Sequence, residues 1–193
     1  MPFDFNKAQV RFGQPGKLYV GPLDSTEPSG FSSAWGTGWI PVGYTPNGST
    51  FNYEVQVSPA YVEEELDPIG YGATGRVASV VFALAQTSFR NLTLWLNGGV
   101  MATGSGTDDS SDWSFEPPDL GTEKRIQLGW DANPIPANNE LRFVFRQGLQ
   151  GGTGSVPNNK GVTIAGLSTT FNLELPDTGK KLLKVMGSGK YNR

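Results

Sequence analysis

Several segments of the chain alternate apolar and polar residues with a period of two, the pattern of strands with one buried face. From Phe51 to Val57 the odd-numbered positions hold Phe, Tyr, Val and Val, separated by Asn, Glu and Gln. Residues 141–146 and 167–175 alternate in the same way, and residues 126–130 form a shorter set. The pattern predicts a mainly β protein whose strands each place one face on a core and the other outward.

The segment from Val77 to Ala85 differs because both of its faces are apolar. Val80, Phe82 and Leu84 lie on one face, and Val77, Val81 and Ala83 lie on the other. A strand of this kind is typically covered on both sides. We expect a helix or another subunit to cover the second face, which makes Val81 a candidate subunit contact.

One helix is predicted directly after this strand. Thr87 or Ser88 can cap its start, and Gly98-Gly99 can end it. Its apolar stripe, at 100° per residue, consists of Phe89, Leu92, Thr93 and Leu96. Trp95 flanks the stripe and Leu94 points nearly opposite, so Leu94 is either exposed or covered by a neighbouring subunit. Leu94 and Trp95 therefore join Val81 as candidate subunit contacts.

Four long segments interrupt these elements and are predicted to be loops: Gly21–Gly38, Ser58–Gly75, Gly104–Leu120 and Gln147–Gly161. Loops longer than about 12–15 residues are uncommon in compact domains unless they are functional or disordered. We interpret residues 1–193 as one domain with long loops and extended terminal arms, residues 1–16 and 177–193. Four such loops on one small domain indicate contacts outside the subunit.

Charge is scarce and unevenly distributed. Only 17% of the residues are charged, although about a quarter is usual, and a surface poor in charge is often covered by a partner. The net charge is −3, yet the C-terminal arm, residues 177–193, holds five basic side chains and one acidic one. The acidic remainder does not predict nucleic-acid binding. Three lysines of the arm are candidate contacts to nucleic acid or an acidic neighbour, although a solvated end is equally consistent: Lys180, Lys181 and Lys184.

The residue types needed for most enzymatic chemistry are missing. The chain has no His and no Cys, which excludes His-dependent triads, imidazole and thiolate metal ligands and disulfides. Gly70, Gly72 and Gly75 form a G-x-G-x-x-G pattern, but it precedes a strand instead of opening a helix after one. We predict no enzyme activity, no catalytic residue and no cofactor.

Two groups of carboxylates are candidates for a catalytic or a metal site. Glu63, Glu64, Glu65 and Asp67 cluster in the Ser58–Gly75 loop, where consecutive residues project in different directions. They fit a solvated or partner-facing acidic patch better than the paired carboxylates of a glycosidase. Asp108, Asp109 and Asp112 lack EF-hand spacing and fit a solvated loop, so no metal site is predicted.

Trp35, Trp39 and Trp113 leave a second function open. Aromatic side chains suit the flat faces of sugars, so a carbohydrate-binding β-sandwich, such as a receptor-binding or decoration module, is the alternative. Aromatic residues at protein–protein contacts explain them equally well. No apolar run has the length of a membrane span, and the first ten residues lack the form of a signal peptide.

Residues 39–99 resemble the major tail (tail-tube) proteins of long-tailed, siphovirus-type bacteriophages. The first shared feature is a Gly-Tyr-Thr-x-x-Gly turn at Gly43–Gly48, which leads into an alternating strand. The second is the long acidic loop Ser58–Gly75 after that strand. The third is a strand at Val80–Ala85 that runs into the capped helix Ser88–Asn97. The last third of the chain is matched only by its β character.

The resemblance implies a β-sandwich or small barrel with one flanking α-helix. It implies hexameric rings of this chain stacked into the hollow tube of a virion tail, assembled in the bacterial host cytoplasm, through which DNA passes during ejection. The implied partners are further copies of the chain, a tape-measure protein, a tail terminator and distal tail or baseplate proteins. In this interpretation Ser58–Gly75 is an inter-ring loop, and its contact residues are Tyr61, Glu63, Glu64, Glu65, Leu66 and Asp67.

Overall fold

The computed structural model describes residues 16–46, 48–103, 113–132, 141–156, 166–177 and 179–187. These residues form ten strands and one helix, in the order β1 (Lys17–Pro22), β2 (Ile40–Pro41), β3 (Ser49–Ala60), β4 (Gly70–Leu84), α1 (Phe89–Trp95), β5 (Val100–Thr103), β6 (Trp113–Glu116), β7 (Ile126–Ala132), β8 (Leu141–Gln150), β9 (Leu167–Leu173) and β10 (Leu183–Gly187). The prediction of a mainly β fold of the sandwich or barrel type with one helix is confirmed.

Eight strands form one antiparallel sheet in the order β2-β1-β7-β8-β9-β4-β3, and β10 pairs with the first half of β8. The sheet curls, because the Phe51 ring on β3 lies 5.1 Å from the Phe145 ring on β8, although two strands separate them in the sheet. The curled face encloses the core, whose buried members are Leu18, Val42, Val80, Phe82, Leu84, Leu94, Leu128, Phe145, Leu167 and Phe171. β5 and β6 form a separate hairpin.

The outer face of β7 and β8 is also covered, by the segment that links β1 to β2. The guanidinium of Arg142 forms two hydrogen bonds to Asp131, with Nε 2.6 Å from Oδ1 and Nη2 3.1 Å from Oδ2. Its third nitrogen donates to the carbonyl of Ser33 at 2.6 Å, and its cationic carbon lies 4.6 Å from the Trp35 ring. Arg142 is only 5% exposed. The linking segment is therefore fixed to the sheet by one buried arginine, and we call this group the arginine cluster: Tyr19, Trp35, Gly129, Asp131 and Arg142.

The sequence correctly predicts the ends of the helix. Ser88 is the N-cap, and its side chain accepts a hydrogen bond from the backbone N–H of Asn91 at 3.3 Å. At the other end Asn97 has φ of 60° and Gly98 donates to the Thr93 carbonyl at 2.7 Å. Asparagine is one of the few side chains that adopt this left-handed backbone, and the bond closes the last helical turn.

The predicted boundaries of all four loops are wrong, because β1 runs to Pro22, β6 lies within 104–120 and β8 runs to Gln150. Half of the segment Ser58–Gly75 is not a loop, because β3 continues to Ala60 and β4 begins at Gly70, which leaves residues 61–69 between them. The C-terminal arm, 177–193, is not simply an extended end, because Leu183–Gly187 pairs with β8. In both cases backbone pairing with a neighbouring strand continues where the sequence has turn-like or charged residues.

Some expectations concern residues outside the described ranges. The N-terminal arm, 1–16, is described only at Gly16, and the aspartates at 108, 109 and 112 are not described. The described ranges contain no helix long and apolar enough to cross a membrane. They also contain no group of three or more potential metal-binding side chains.

Candidate assembly surface

β3 and β4 form a hairpin that extends well beyond the core. Their register runs from Ser49 opposite Phe82 to Ala60 opposite Gly70. Every residue from 52 to 67 is exposed, and so are 71–74, 76 and 77 on the returning strand. A strand rises about 3.3 Å per residue, so the nine residues 52–60 span roughly 30 Å. We call residues 52–77 the long hairpin and residues 61–69 its tip.

One face of the long hairpin is apolar although it is exposed. Successive side chains alternate between faces, so Tyr53, Val55 and Val57 share the face of Phe51, which packs on the core. Tyr71 lies opposite Pro59 on this face and is 70% exposed. The exposed fractions of Tyr53, Val55 and Val57 are 47%, 42% and 57%. The inward-facing apolar stripe of the sheet therefore continues past the core into solvent.

The hairpin is ordered by its own backbone ladder and by a bulge. The register shifts between Gln56 and Val57, where the Thr74 hydroxyl donates to the Gln56 carbonyl at 3.3 Å. A Cβ on Gly75 would lie 2.8 Å from the Gln56 side-chain oxygen, so glycine fits at this bulge without displacing that side chain. At the far end Ile69 donates to the Ala60 carbonyl at 2.9 Å and closes the tip.

All six predicted inter-ring contact residues lie on the tip and are exposed: Tyr61, Glu63, Glu64, Glu65, Leu66 and Asp67. Leu66 is 99% exposed, which is extreme for a large apolar side chain. Of the nineteen exposed large apolar side chains in the described ranges, nine fall between Tyr53 and Val77. Such a concentration marks a surface that binds another protein.

A comparison with known families shows what kind of protein carries this surface. The family model of phage tail tube proteins matches residues 4–178, which is most of the chain. The chain belongs to the phage tail tube protein family. The resemblance of residues 39–99 to phage tail-tube proteins is thereby confirmed, and the match extends through β9. No curated protein matches the chain.

Membership makes this tail tube protein a structural component of a virion tail that assembles with itself into a tube. An assembling subunit must carry surfaces that are exposed in the monomer and covered in the tube. The apolar face of the long hairpin is a candidate for such a surface, since it continues a core face that nothing within the described part of the subunit covers.

The predicted subunit contacts on the strand and the helix have different positions. Val81 is half-buried on the outer face of β4, and Val77 on the same face is 50% exposed, so no helix among the described residues covers this face. Leu94, by contrast, is 8% exposed and belongs to the core. The Trp95 indole N–H donates to the Ser168 carbonyl at 2.9 Å. The predicted apolar stripe is therefore on the wrong side of this short helix, because Leu94 and Trp95 contact the subunit's own sheet.

Two of the three candidate lysines of the C-terminal arm, Lys180 and Lys184, lie near the segment that links β1 to β2. Lys180 Nζ is 3.4 Å from a carboxylate oxygen of Glu27, and Lys184 Nζ is 3.4 Å from the Pro28 carbonyl. Lys181 is exposed. Glu27 also accepts two hydrogen bonds from Arg146, at 2.7 and 3.1 Å. The hydrogen bond from Arg146 is the main cause that lowers the pKa of Glu27, and burial opposes it.

The apolar hairpin face was missed by sequence reasoning as an assembly surface. Tyr53, Val55 and Val57 were assigned to the core because they alternate with polar residues. The structure shows the difference, because most strands have about 5–6 residues while β3 has 12 and β4 has 15. A core that ends at Phe51 cannot cover so long a hairpin.

Proposed function

We propose that this subunit forms hexameric rings that stack into the tail tube of a siphovirus-type phage, and that the tube is the conduit for DNA ejection. The observation that carries the proposal is the long hairpin, whose apolar face is exposed for most of its length. Covering a large apolar side chain stabilises a complex by roughly 1.5–3 kcal/mol. Covering Tyr53, Val55, Val57 and Tyr71 with a neighbouring copy therefore supplies much of the association energy.

Strand edges supply a second route to assembly. β3 pairs only with β4, so one edge of a 12-residue strand has no backbone partner within the described residues. β10 likewise pairs only with β8. Free edges add further strands, and a ring of subunits satisfies them by closing on itself. We expect the sheet of one subunit to continue into the next around the ring.

The charge of the chain suits a conduit for DNA. Residues 1–176 hold seven more acidic than basic side chains. A lumen that bound phosphates would retard DNA, whereas weak repulsion lets it slide. Of the five basic residues of the C-terminal arm, which would oppose this, Lys180 and Lys184 lie against Glu27 and Pro28 of their own subunit.

A structural role also agrees with the chemistry of the chain. The absence of His and Cys and the family membership support a protein without catalytic activity. We expect the tube to contact a tape-measure protein, a tail terminator and distal tail proteins, and to assemble in the bacterial host cytoplasm.

The carbohydrate-binding alternative is weakened, because two of its three tryptophans are not available to a sugar. Trp39 is 7% exposed, and Trp35 stacks between Tyr19 and Arg142.

Shortening the hairpin in register tests the proposal. Gln56 pairs with Gly75, so residues 56–75 are replaced by a two-residue Asn-Gly turn, which favours a tight hairpin. Since the deleted segment lies outside the core, the thermal unfolding of the monomer should match that of the wild type. Negative-stain microscopy should show hollow tubes for the wild type and none for the shortened chain. Normal tubes from the shortened chain would contradict the proposal.

A further inference from the structure

A groove with a volume of about 650 Å³ lies between α1, the β1–β2 segment and the start of β7. Three exposed apolar side chains line it: Leu23, Ile40 and Phe89, each at least 40% exposed. Its floor reaches the core residues Leu94 and Phe171. The groove is therefore a second apolar surface, separate from the long hairpin, that is open to a partner.

Every charged side chain that lines this groove is basic: Arg90, Lys124 and Arg125. Arg125 is paired with Glu174 at 2.6 Å. Arg90 and Lys124 form no ion pair within the described ranges, and both are exposed. Two of the three cations at the rim of the groove therefore have no ion-pair partner among the described residues.

The hairpin tip has the complementary chemistry. Leu66 is almost completely exposed and lies between Glu65 and Asp67, with Glu63 and Glu64 just before it. The backbone N–H of Glu65 donates to the Val62 carbonyl at 3.3 Å, which holds these side chains on one compact turn. The tip is exposed in its own subunit, so it does not occupy its own groove.

We propose that the groove receives the hairpin tip of a second copy of this chain, with Leu66 against the apolar wall and the tip carboxylates facing Arg90 and Lys124. This inference rests on the proposed function and names the two surfaces that meet. Opposite charges at the rim orient the approach and exclude wrong partners, while the apolar contact holds the complex. Because tip and groove are different surfaces, the contact is head-to-tail, the kind that builds rings and open tubes.

Disulfide trapping tests the contact directly, because the chain contains no Cys. The double variant Leu66→Cys/Ile40→Cys should assemble and, after mild oxidation, give a ladder of covalent oligomers on non-reducing gels. The control Leu66→Cys/Val156→Cys places the second thiol in the segment after β8, at a residue that is 61% exposed. Tubes that give no ladder, or an equal ladder in the control, overturn the groove assignment and leave the proposed tube function intact.

Charge reversal gives an independent measurement. Arg90→Glu/Lys124→Glu should raise the protein concentration needed for assembly at least tenfold, and adding Glu63→Lys/Glu64→Lys should restore it. The control Lys17→Glu makes half of this change in net charge at an exposed position elsewhere and should assemble normally. Wild-type assembly by the groove variant, or no rescue, refutes the contact. Absence of tubes from the wild-type chain would refute the proposed function, on which the contact rests.

Discussion

The arginine cluster and the long hairpin look alike in sequence and are opposite in structure. The strands in both regions alternate between apolar and polar residues. In the cluster, the charged Arg142 is 5% exposed, whereas in the hairpin the aromatic Tyr53 is 47% exposed. The difference arises from what lies over each face. The β1–β2 segment covers the outer face of β8, while nothing in the described subunit covers the far part of β3.

The two regions therefore serve different purposes. The arginine cluster fixes a long irregular segment to the sheet and stabilises the monomer. The long hairpin adds little to the stability of the monomer, because its side chains remain in water, and its apolar face is available to other copies. Mutations should separate the two regions cleanly, with large effects on folding in the cluster and effects on assembly alone in the hairpin.

The largest effect is expected for Arg142→Ala. The substitution leaves the Asp131 carboxylate buried without its bidentate partner, which typically costs about 3–5 kcal/mol. Urea unfolding of the monomer should show this loss in the free energy of unfolding. A loss below about 1 kcal/mol would mean that the β1–β2 segment is held by other contacts.

A smaller loss is expected for Gly129→Ala in the same cluster. The added methyl group would lie 2.2 Å from the Trp35 ring, so the ring must move away from Arg142 and Tyr19. Overpacking of this kind costs roughly 1–3 kcal/mol. Gly148→Ala on β8 is the matched control, since its nearest neighbours are 3.5 Å away. Equal losses for the two variants would rule out the Trp35 contact as the cause.

A pH-dependent effect is expected at Glu27. Its pKa is lowered in the folded state, chiefly by the Arg146 hydrogen bond, so its contribution is present above the unfolded pKa of about 4.3 and is lost as the pH falls through the folded value. Glu27→Gln should cost about 1 kcal/mol at pH 7. The cost should shrink on acidification below pH 4.3. A cost that does not change with pH would argue against the ion pair.

The smallest effect on folding is expected for Leu66→Ser at the hairpin tip. Because Leu66 is 99% exposed, the free energy of unfolding should change by no more than about 0.5 kcal/mol. Assembly, measured by light scattering and microscopy, should nevertheless weaken. A variant that destabilises the monomer, or that assembles as well as the wild type, would remove the distinction between the two regions.

The sequence by itself determined the features that depend on neighbouring residues. Period-two alternation located the strands around Phe51, Phe143 and Phe171, and Ser88 and Gly98 marked the helix ends. The order of turn, strand, acidic segment and capped helix was sufficient to suggest the tail-tube family. Each of these signals is local, because backbone propensity and capping act within a few residues.

Only the tertiary structure decided which apolar faces are buried. It placed Leu94 in the core, buried Arg142 against Asp131, and left Tyr53 and Val55 in solvent. It also placed Lys184 on a folded strand and brought Arg90 and Lys124 to one groove. Burial depends on segments far apart in the chain, so an alternating pattern shows that a strand has an apolar face but not whether its own subunit or a neighbouring copy covers it.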